Sequence, residues 1–297
     1  MKKIFILPIS LISLLFLVAC GGEQQQVVTG AFLGGTQGVL AVFEPFGVED
    51  GGVYSIFDSE TYPLEVTLNN KGEYELQKGD VTIKLQGLDF DSSGISSLTL
   101  KNKDLLEEAS ELLPNGGEEK ITFATDAKYT PAVSGKTERE WFANIEYKYQ
   151  TYVVMPDVCL KEDLTDDRVC EVEGTKTFFV SGAPITVSGV EESTAGKGIM
   201  ALKITIRNAG TGKVTLVGED FGTQQKVGYN IDDSTWECKQ GGKLNEARLI
   251  DGTAEIVCKL KTPLTAGTLA TKQLKLTLEY KYRDIIQETL RIKEGAK

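Results

Sequence analysis

The chain has 297 residues, with 43 Asp and Glu against 32 Lys and Arg and not one His, for a formal charge of −11. Without histidine the Ser-His-Asp, Cys-His and His-zinc routes are closed, and the acidic balance argues against nucleic acid or anionic membrane surface as broad partners. The length suits about two domains of roughly 150 residues, each able to bury its own core.

Met1 to Cys20 reads as an address. Lys2 and Lys3 precede an apolar run, Ile4 to Val18. That run is shorter than the ~20 residues a spanning helix needs and has the layout of a secretory signal. Leu17-Val18-Ala19-Cys20 resembles the lipobox of prokaryotic lipoproteins, which implies cleavage before Cys20 and a lipid on Cys20. On that reading residues 1–19 are a signal helix and residues 20–31 a polar tether. The mature chain then carries 30 basic and 43 acidic residues, or −13. No second apolar run of spanning length follows, so the protein is expected outside the cell membrane, held to it through Cys20.

Beyond the tether the chain repeats itself. Gly34-Gly35-Thr36-Gln37-Gly38 leads into a strand at Leu40 to Phe43; it lacks the Gly-Lys-Ser/Thr ending of a phosphate loop. Pro63 to Leu68 alternates and stops at Asn69-Asn70-Lys71-Gly72; Ala201 to Ile206 alternates and stops at Asn208-Ala209-Gly210. Val81 to Leu85 matches Lys213 to Val217, and Ile121 to Phe123 matches Thr253 to Val257. Gln273 to Tyr282 keeps a clean period of two, the mark of a half-buried strand. Its near copy, Ile145 to Tyr149, lies 133 residues earlier. Equivalent short strands in one order, separated by turn residues, predict antiparallel β-sandwiches. The expected domains are residues 32–158 and 178–297, joined by a loop at 159–177.

One segment departs from that rule. Leu105, Leu106, Ala109, Leu112 and Leu113 share a helical face, with Asp104 as N-cap, Glu107 three residues on and Pro114-Asn115-Gly116 as a stop. A short helix over 104–113 is therefore expected in the first domain. The second copy has a loop around Trp236 and Cys238 instead.

Cys159, Cys170, Cys238 and Cys258 remain after Cys20. An even number in an exported chain points to disulfides, and four cysteines permit three connectivities. Locality favours Cys159–Cys170 and Cys238–Cys258. Neither pair has metal-site spacing, and a zinc site would need all four thiolates, so no metal and no cofactor is expected.

Catalytic constellations are equally scarce. Glu162-Asp163-Leu164-Thr165-Asp166-Asp167 is the densest acidic stretch, but it has neither the alternating ligands nor the glycine of a calcium loop. Asp89, Asp91, Asp232, Asp233, Glu191 and Glu192 read as turn acids. Tyr147, Tyr149, Tyr152, Tyr280 and Tyr282 read as half-buried core in preference to a sugar-stacking platform. No catalytic residue emerges, and the chain is not expected to be an enzyme.

The Phe32-Leu33-Gly34-Gly35-Thr36-x-Gly38 opening, the Leu68-Asn69-Asn70-Lys71-Gly72 turn and the Tyr-Lys-Tyr strand resemble the tandem immunoglobulin-like lipoproteins of prokaryotes, and are most similar to a class of archaeal cell-surface proteins. The resemblance spans about residues 30 to 290. It implies an all-β chain: two tandem immunoglobulin-like antiparallel β-sandwich domains, one short helix in the first, after an N-terminal signal helix. It also implies display or adhesion at the cell surface, toward a protein or envelope component. Two alternatives are a structural subunit that self-associates by edge-strand β-augmentation and a carbohydrate-binding module.

Overall fold

The alternation that marks Gln273 to Tyr282 extends well beyond that stretch in the computed structural model, which describes residues 32–87 and 95–296. The signal segment, Cys20, the tether up to residue 31, Asp89 and Asp91 lie outside the described residues. Within them every regular element is a strand. In chain order these are β1 (Val39–Phe43), β2 (Val48–Asp50), β3 (Val53–Phe57), β4 (Tyr62–Asn70), β5 (Val81–Gln86) and β6 (Thr99–Lys101). Next come β7 (Glu118–Ala127), β8 (Lys136–Lys161), β9 (Gly174–Thr175), β10 (Phe179–Val180), β11 (Ile185–Gly196) and β12 (Ile199–Asn208). The series closes with β13 (Lys213–Thr215), β14 (Gln225–Ile231), β15 (Trp236–Gln240), β16 (Lys243–Leu244), β17 (Glu246–Leu249), β18 (Thr253–Leu260) and β19 (Leu269–Lys293). The chain is all-β, and its sheets pack as a sandwich.

Two long strands organise it. β8 and β19 pair antiparallel from Leu269 opposite Lys161 to Lys293 opposite Lys136, with one irregularity between Lys272 and Leu274. They form the middle of a ten-stranded sheet whose main path runs β17-β14-β19-β8-β5-β6, with β10 paired to β8, β13 and β3 to β19, and β2 to β3. Odd residues of β8 and even residues of β19 point the same way, so Trp141, Ile145, Tyr147, Tyr149, Val153, Leu276, Leu278, Tyr280 and Tyr282 are all buried on one face. The opposite face carries Glu146, Lys148, Glu279, Lys281 and Arg283 toward solvent.

The repeat is visible in the register. Lys148 pairs with Lys281, its own counterpart 133 residues on, while Tyr147 pairs with Tyr282 and Tyr149 with Tyr280. Exchanging the halves maps the ladder onto itself, so a local two-fold axis passes between Lys148 and Lys281. Like charges directly opposite are unfavourable. Here Asp80 draws off Lys148 at 3.9 Å, and Lys281 sits over the Phe221 ring at 5.0 Å. Next along the ladder, Arg283 Nη2 meets Glu146 Oε1 at 2.5 Å.

Two smaller sheets cover the tyrosine face: β1-β4-β7, and β16-β15-β18-β12-β11-β9. Equivalent elements occupy equivalent places, with β4 between β1 and β7 as β12 lies between β11 and β18. Strands from residues 32–158 and 178–297 thus share one continuous sheet, joined edge to edge through β8 and β19. At one end of that sheet the edge strand β17 is capped. The Gln240 side-chain amide accepts from the Arg248 N–H at 2.6 Å and donates to the Arg248 carbonyl at 3.1 Å. It thereby makes both bonds a further strand would make.

The helix expected over 104–113 is not present. Leu106 instead forms a two-way backbone bridge with Leu76, at 2.9 and 3.0 Å, and the Ala109 N–H donates to Gly72. The Asn70 amide takes the Leu106 and Glu107 carbonyls, and Glu119 accepts from the Lys103 and Asp104 N–H groups. Donors and acceptors that a helix would pair internally are spoken for elsewhere. Only Leu106 and Ala109 of the apolar set are buried, and Leu112 is 97% exposed. The Trp236–Cys238 segment likewise departs from expectation. It is strand β15, because Trp236 and Cys238 alternate inward against β18 while Glu237 and Lys239 point out.

Both local disulfides are formed, Cys159–Cys170 with a sequence separation of 11 and Cys238–Cys258 with a separation of 20. The second joins residues that face each other across β15 and β18. Loops of these lengths are worth about 3 kcal/mol each in the chain-entropy model. Replacing either pair by serines should lower the urea-unfolding free energy by about that amount, with m little changed. An unchanged midpoint for the Cys238→Ser/Cys258→Ser variant would show that its cross-link constrains nothing.

Candidate functional site

Where the halves meet, four tyrosines form a buried quartet. Tyr147 and Tyr149 contact edge-to-face at 5.6 Å between ring centroids, Tyr280 and Tyr282 at 6.4 Å, and Tyr147 reaches Tyr282 at 5.7 Å. Tyr152, three residues from Tyr149, falls on the opposite face of β8 and is only half-buried, donating to Gln150 Oε1 at 3.0 Å. Burial pushes the phenol of Tyr282 up to about 12 and raises those of Tyr147, Tyr149 and Tyr280 well above the ordinary phenol range, so all four stay neutral. They are core with satisfied hydroxyls.

Those hydroxyls fasten the covering sheets in matched pairs. Tyr149 Oη donates to Asn70 Oδ1 at 2.9 Å and Tyr282 Oη to Asn208 Oδ1 at 3.2 Å. Each asparagine donates four residues ahead, Asn70 to the Tyr74 carbonyl at 2.8 Å and Asn208 to the Gly212 carbonyl at 2.9 Å. The Ile185 N–H approaches Tyr280 Oη at 3.4 Å; Thr151 donates to the Ile185 carbonyl at 2.6 Å, which leaves Tyr280 to donate to Thr151 at 3.0 Å. The turns after β4 and β12 need glycine at the same place. A Cβ on Gly72 would lie 2.2 Å from Tyr149 Oη, and one on Gly210 would lie 2.3 Å from Tyr282 Oη.

Beside each turn is a niche, and the two niches differ. At the first, Glu73 holds the chain's own lead-in: its carboxylate accepts from the Leu33 and Gly34 N–H groups at 2.8 Å and from Gly182 at 2.6 Å. At the second, Thr211 stands where Glu73 does, and a cavity of about 280 Å³ lies open between Gln37, Leu40, Pro184, Thr211, Tyr282 and Asp284. Asp284, two residues past Tyr282, brings its carboxylate to the Thr211 hydroxyl at 3.4 Å. The arrangement is a small, half-polar pocket on the seam with one acid at its wall. It offers hydrogen-bond recognition.

A second cluster lies by the first disulfide. Glu192, 2% exposed, accepts from the Cys159 N–H with both oxygens, at 3.0 and 3.1 Å, and pairs with Lys176 at 2.7 Å. Burial raises its carboxyl above the ordinary range, against the opposing pull of Lys176 and the Cys159 amide. Neither Glu192 nor Glu191 is a turn acid: both lie within β11, and Glu191 is ion-paired at the surface with Lys203, opposite it on β12. The acids of 162–167 serve local hydrogen bonds: Asp163 accepts from Thr165, Asp166 from Arg168, and Lys161 reaches the Asp166 carbonyl. Asp232 accepts from the Lys275 N–H and Asp233 pairs with Lys272. No group of three or more acidic or cysteine side chains gathers as a metal site among the described residues.

The residues missed from sequence are Asn70, Asn208, Glu73, Asp284 and the Lys176–Glu192 pair. Asn70-Lys71-Gly72 and Asn208-Ala209-Gly210 carried the signal for the first two, an Asn-x-Gly at one place in both copies. Nothing local distinguishes Glu73 or Asp284 from other surface acids. No family model and no curated protein matches the chain.

Proposed function

We propose that this chain is a lipid-anchored, non-catalytic protein of the outer cell surface, whose halves are two immunoglobulin-like sandwiches presented for adhesion or contact with an envelope component. The run from Lys2 to Cys20 carries the reading, with its basic start, apolar stretch and Leu17-Val18-Ala19-Cys20 ending. The pairing of all four later cysteines supports it, because such bonds persist in oxidising compartments. Joining the halves through twenty-odd residues of paired strand gives a stiff presenting unit, suited to display and lacking a hinge between the repeats. Surface labelling of intact host cells, followed by mass spectrometry of the N-terminal peptide, tests it. The expected result is an acylated Cys20 as first residue on labelled protein; a Met1 peptide confined to the cytoplasm overturns it.

Self-association by β-augmentation has one observation in its favour: the halves already join by pairing edge strands. The Gln240 cap on β17 works against extending the sheet from that end. A monodisperse monomer in detergent would exclude filament growth.

A further inference from the structure

The two niches beside the tyrosine quartet are related by the local two-fold, and among the described residues only one is filled. The correspondence is close. Lys71 N–H donates to Gly38 and Ala209 N–H to Pro184, each at 2.8 Å; Asn70 N–H donates to Gly117 at 2.9 Å and Asn208 N–H to Gly252 at 2.8 Å. Glu73 and Thr211 therefore hold one position, three residues past the equivalent asparagines. In the filled niche a glycine-containing stretch, Leu33-Gly34-Gly35, with Gly34 and Gly35 at positive φ, lies against the turn with successive N–H groups on a carboxylate. The counterpart of that stretch in the second half does not return to its niche; Phe179 and Val180 pair instead with Val154 and Val153 of β8. What remains is the cavity beside Thr211. Its acid comes from the neighbouring strand as Asp284, whose Oδ1 is engaged by the Ile285 N–H at 2.9 Å and by Thr211, and whose Oδ2 receives no donor among the described residues.

We propose that this cavity is a docking niche for a glycine-containing peptide segment of another polypeptide, one able to take the positive φ of Gly34 and Gly35 and held by its backbone N–H groups on the Asp284 carboxylate. The molecule supplies its own precedent, since the twin niche binds a segment of that chemistry through Glu73. Charged acceptors for backbone N–H groups are among the stronger hydrogen bonds, and the apolar walls, Leu40, Pro184 and Tyr282, favour a side chain flanking the glycine. The niche would take such a peptide wherever the protein resides, so its failure and that of the surface reading are separate results.

The probe is a fluorescein-labelled peptide with the sequence of Phe32 to Gln37, titrated against the full-length protein in detergent and followed by polarisation. Saturable binding is expected, weakened about tenfold or more by Asp284→Asn and abolished when Ala209→Phe fills the cavity, with Glu73→Gln retaining it. A peptide N-methylated at its first glycine lacks the key donor and should bind poorly to the unaltered protein, a control that needs no folded variant. Absence of saturable binding, binding that survives Asp284→Asn, or binding lost in Glu73→Gln alone would each overturn the proposal.

Discussion

Lys176→Met should cost about 3–5 kcal/mol of folding free energy at pH 7, because it leaves the Glu192 carboxylate buried with no opposite charge. The geometry concentrates the effect. The Glu192 side chain is fully inaccessible, Lys176 Nζ stands 2.7 Å away with 14% of its side chain exposed, and the other contacts to the carboxylate are two long bonds from one amide, that of Cys159. Lys176 also donates to the Glu171 carbonyl, next to Cys170, so the pair ties β11 to the disulfide-closed loop. The pH dependence has a definite sign. Glu192 already titrates above its unfolded value through burial, and loss of Lys176 raises it further. Between the unfolded pKa, ~4.3, and the raised folded value, the native state binds more protons than the unfolded chain. Stability therefore falls as pH rises through that window, and the penalty is full above it and absent below it. Urea titrations at pH 7 and pH 4 should show the deficit of Lys176→Met shrinking in acid. Glu192→Gln keeps an acceptor for Cys159 and leaves Lys176 free to turn toward water, so it should cost about 1 kcal/mol. The double variant should recover most of the loss. A cost for Lys176→Met below about 1 kcal/mol, or one that does not change with pH, would mean that Glu192 is not held ionised.

Period-two alternation made the strands legible because it is a local property: each residue of Gln273 to Tyr282 reports its own face. The matching of Ile145 to Tyr149 with Leu278 to Tyr282 marked two copies of one strand but left the register open, since a two-fold can pass through any residue of such a pair; the structure places Lys148 opposite Lys281 on it. What alternation cannot say is that the copies pair with each other at all. That depends on which edges the other strands leave open, and those edges are set by β5, β10, β13 and β14 from distant parts of the chain. The helix expected over 104–113 failed for a related reason. Its apolar spacing and cap were sound, yet helicity is a marginal preference in a segment this short. It gave way to long-range bonds from Leu76, Gly72 and Asn70 that no window of ten residues contains. The niches were hidden more deeply still, because Glu73 and Asp284 gain meaning only once the two turns are superposed.

Asn70 is where that competition can be measured. Its side chain is fully buried, and its amide nitrogen donates to the Tyr74, Leu106 and Glu107 carbonyls at 2.8, 3.2 and 3.1 Å while Oδ1 accepts the Tyr149 hydroxyl at 2.9 Å. Asn70→Ala strands several buried polar groups at about 1–3 kcal/mol apiece, softened by relaxation of the exposed part of 104–113, for a net loss of about 3–5 kcal/mol. Asn208→Ala supplies the internal control. Asn208 occupies the same place in the second half, but it is half-buried and contacts the Gly212 carbonyl, Gln225 and Tyr282. Water can replace part of what it loses, so its cost should be about 1–2 kcal/mol. Asn70→Asp separates shape from charge. A carboxylate there faces three carbonyls with no proton to give, so the residue must protonate in the folded state and its pKa rises above the unfolded value. By the same linkage the deficit grows as pH climbs from 4 to 7. Limited proteolysis adds a spatial readout, because releasing Leu106 and Glu107 frees the segment that Asn70 keeps out of a helix. New cleavage within 104–113 should appear in Asn70→Ala before global unfolding and stay absent in Asn208→Ala. Equal costs for the two alanine variants, or cleavage elsewhere first, would show that the segment is held by Leu76 alone and that the asparagine is incidental.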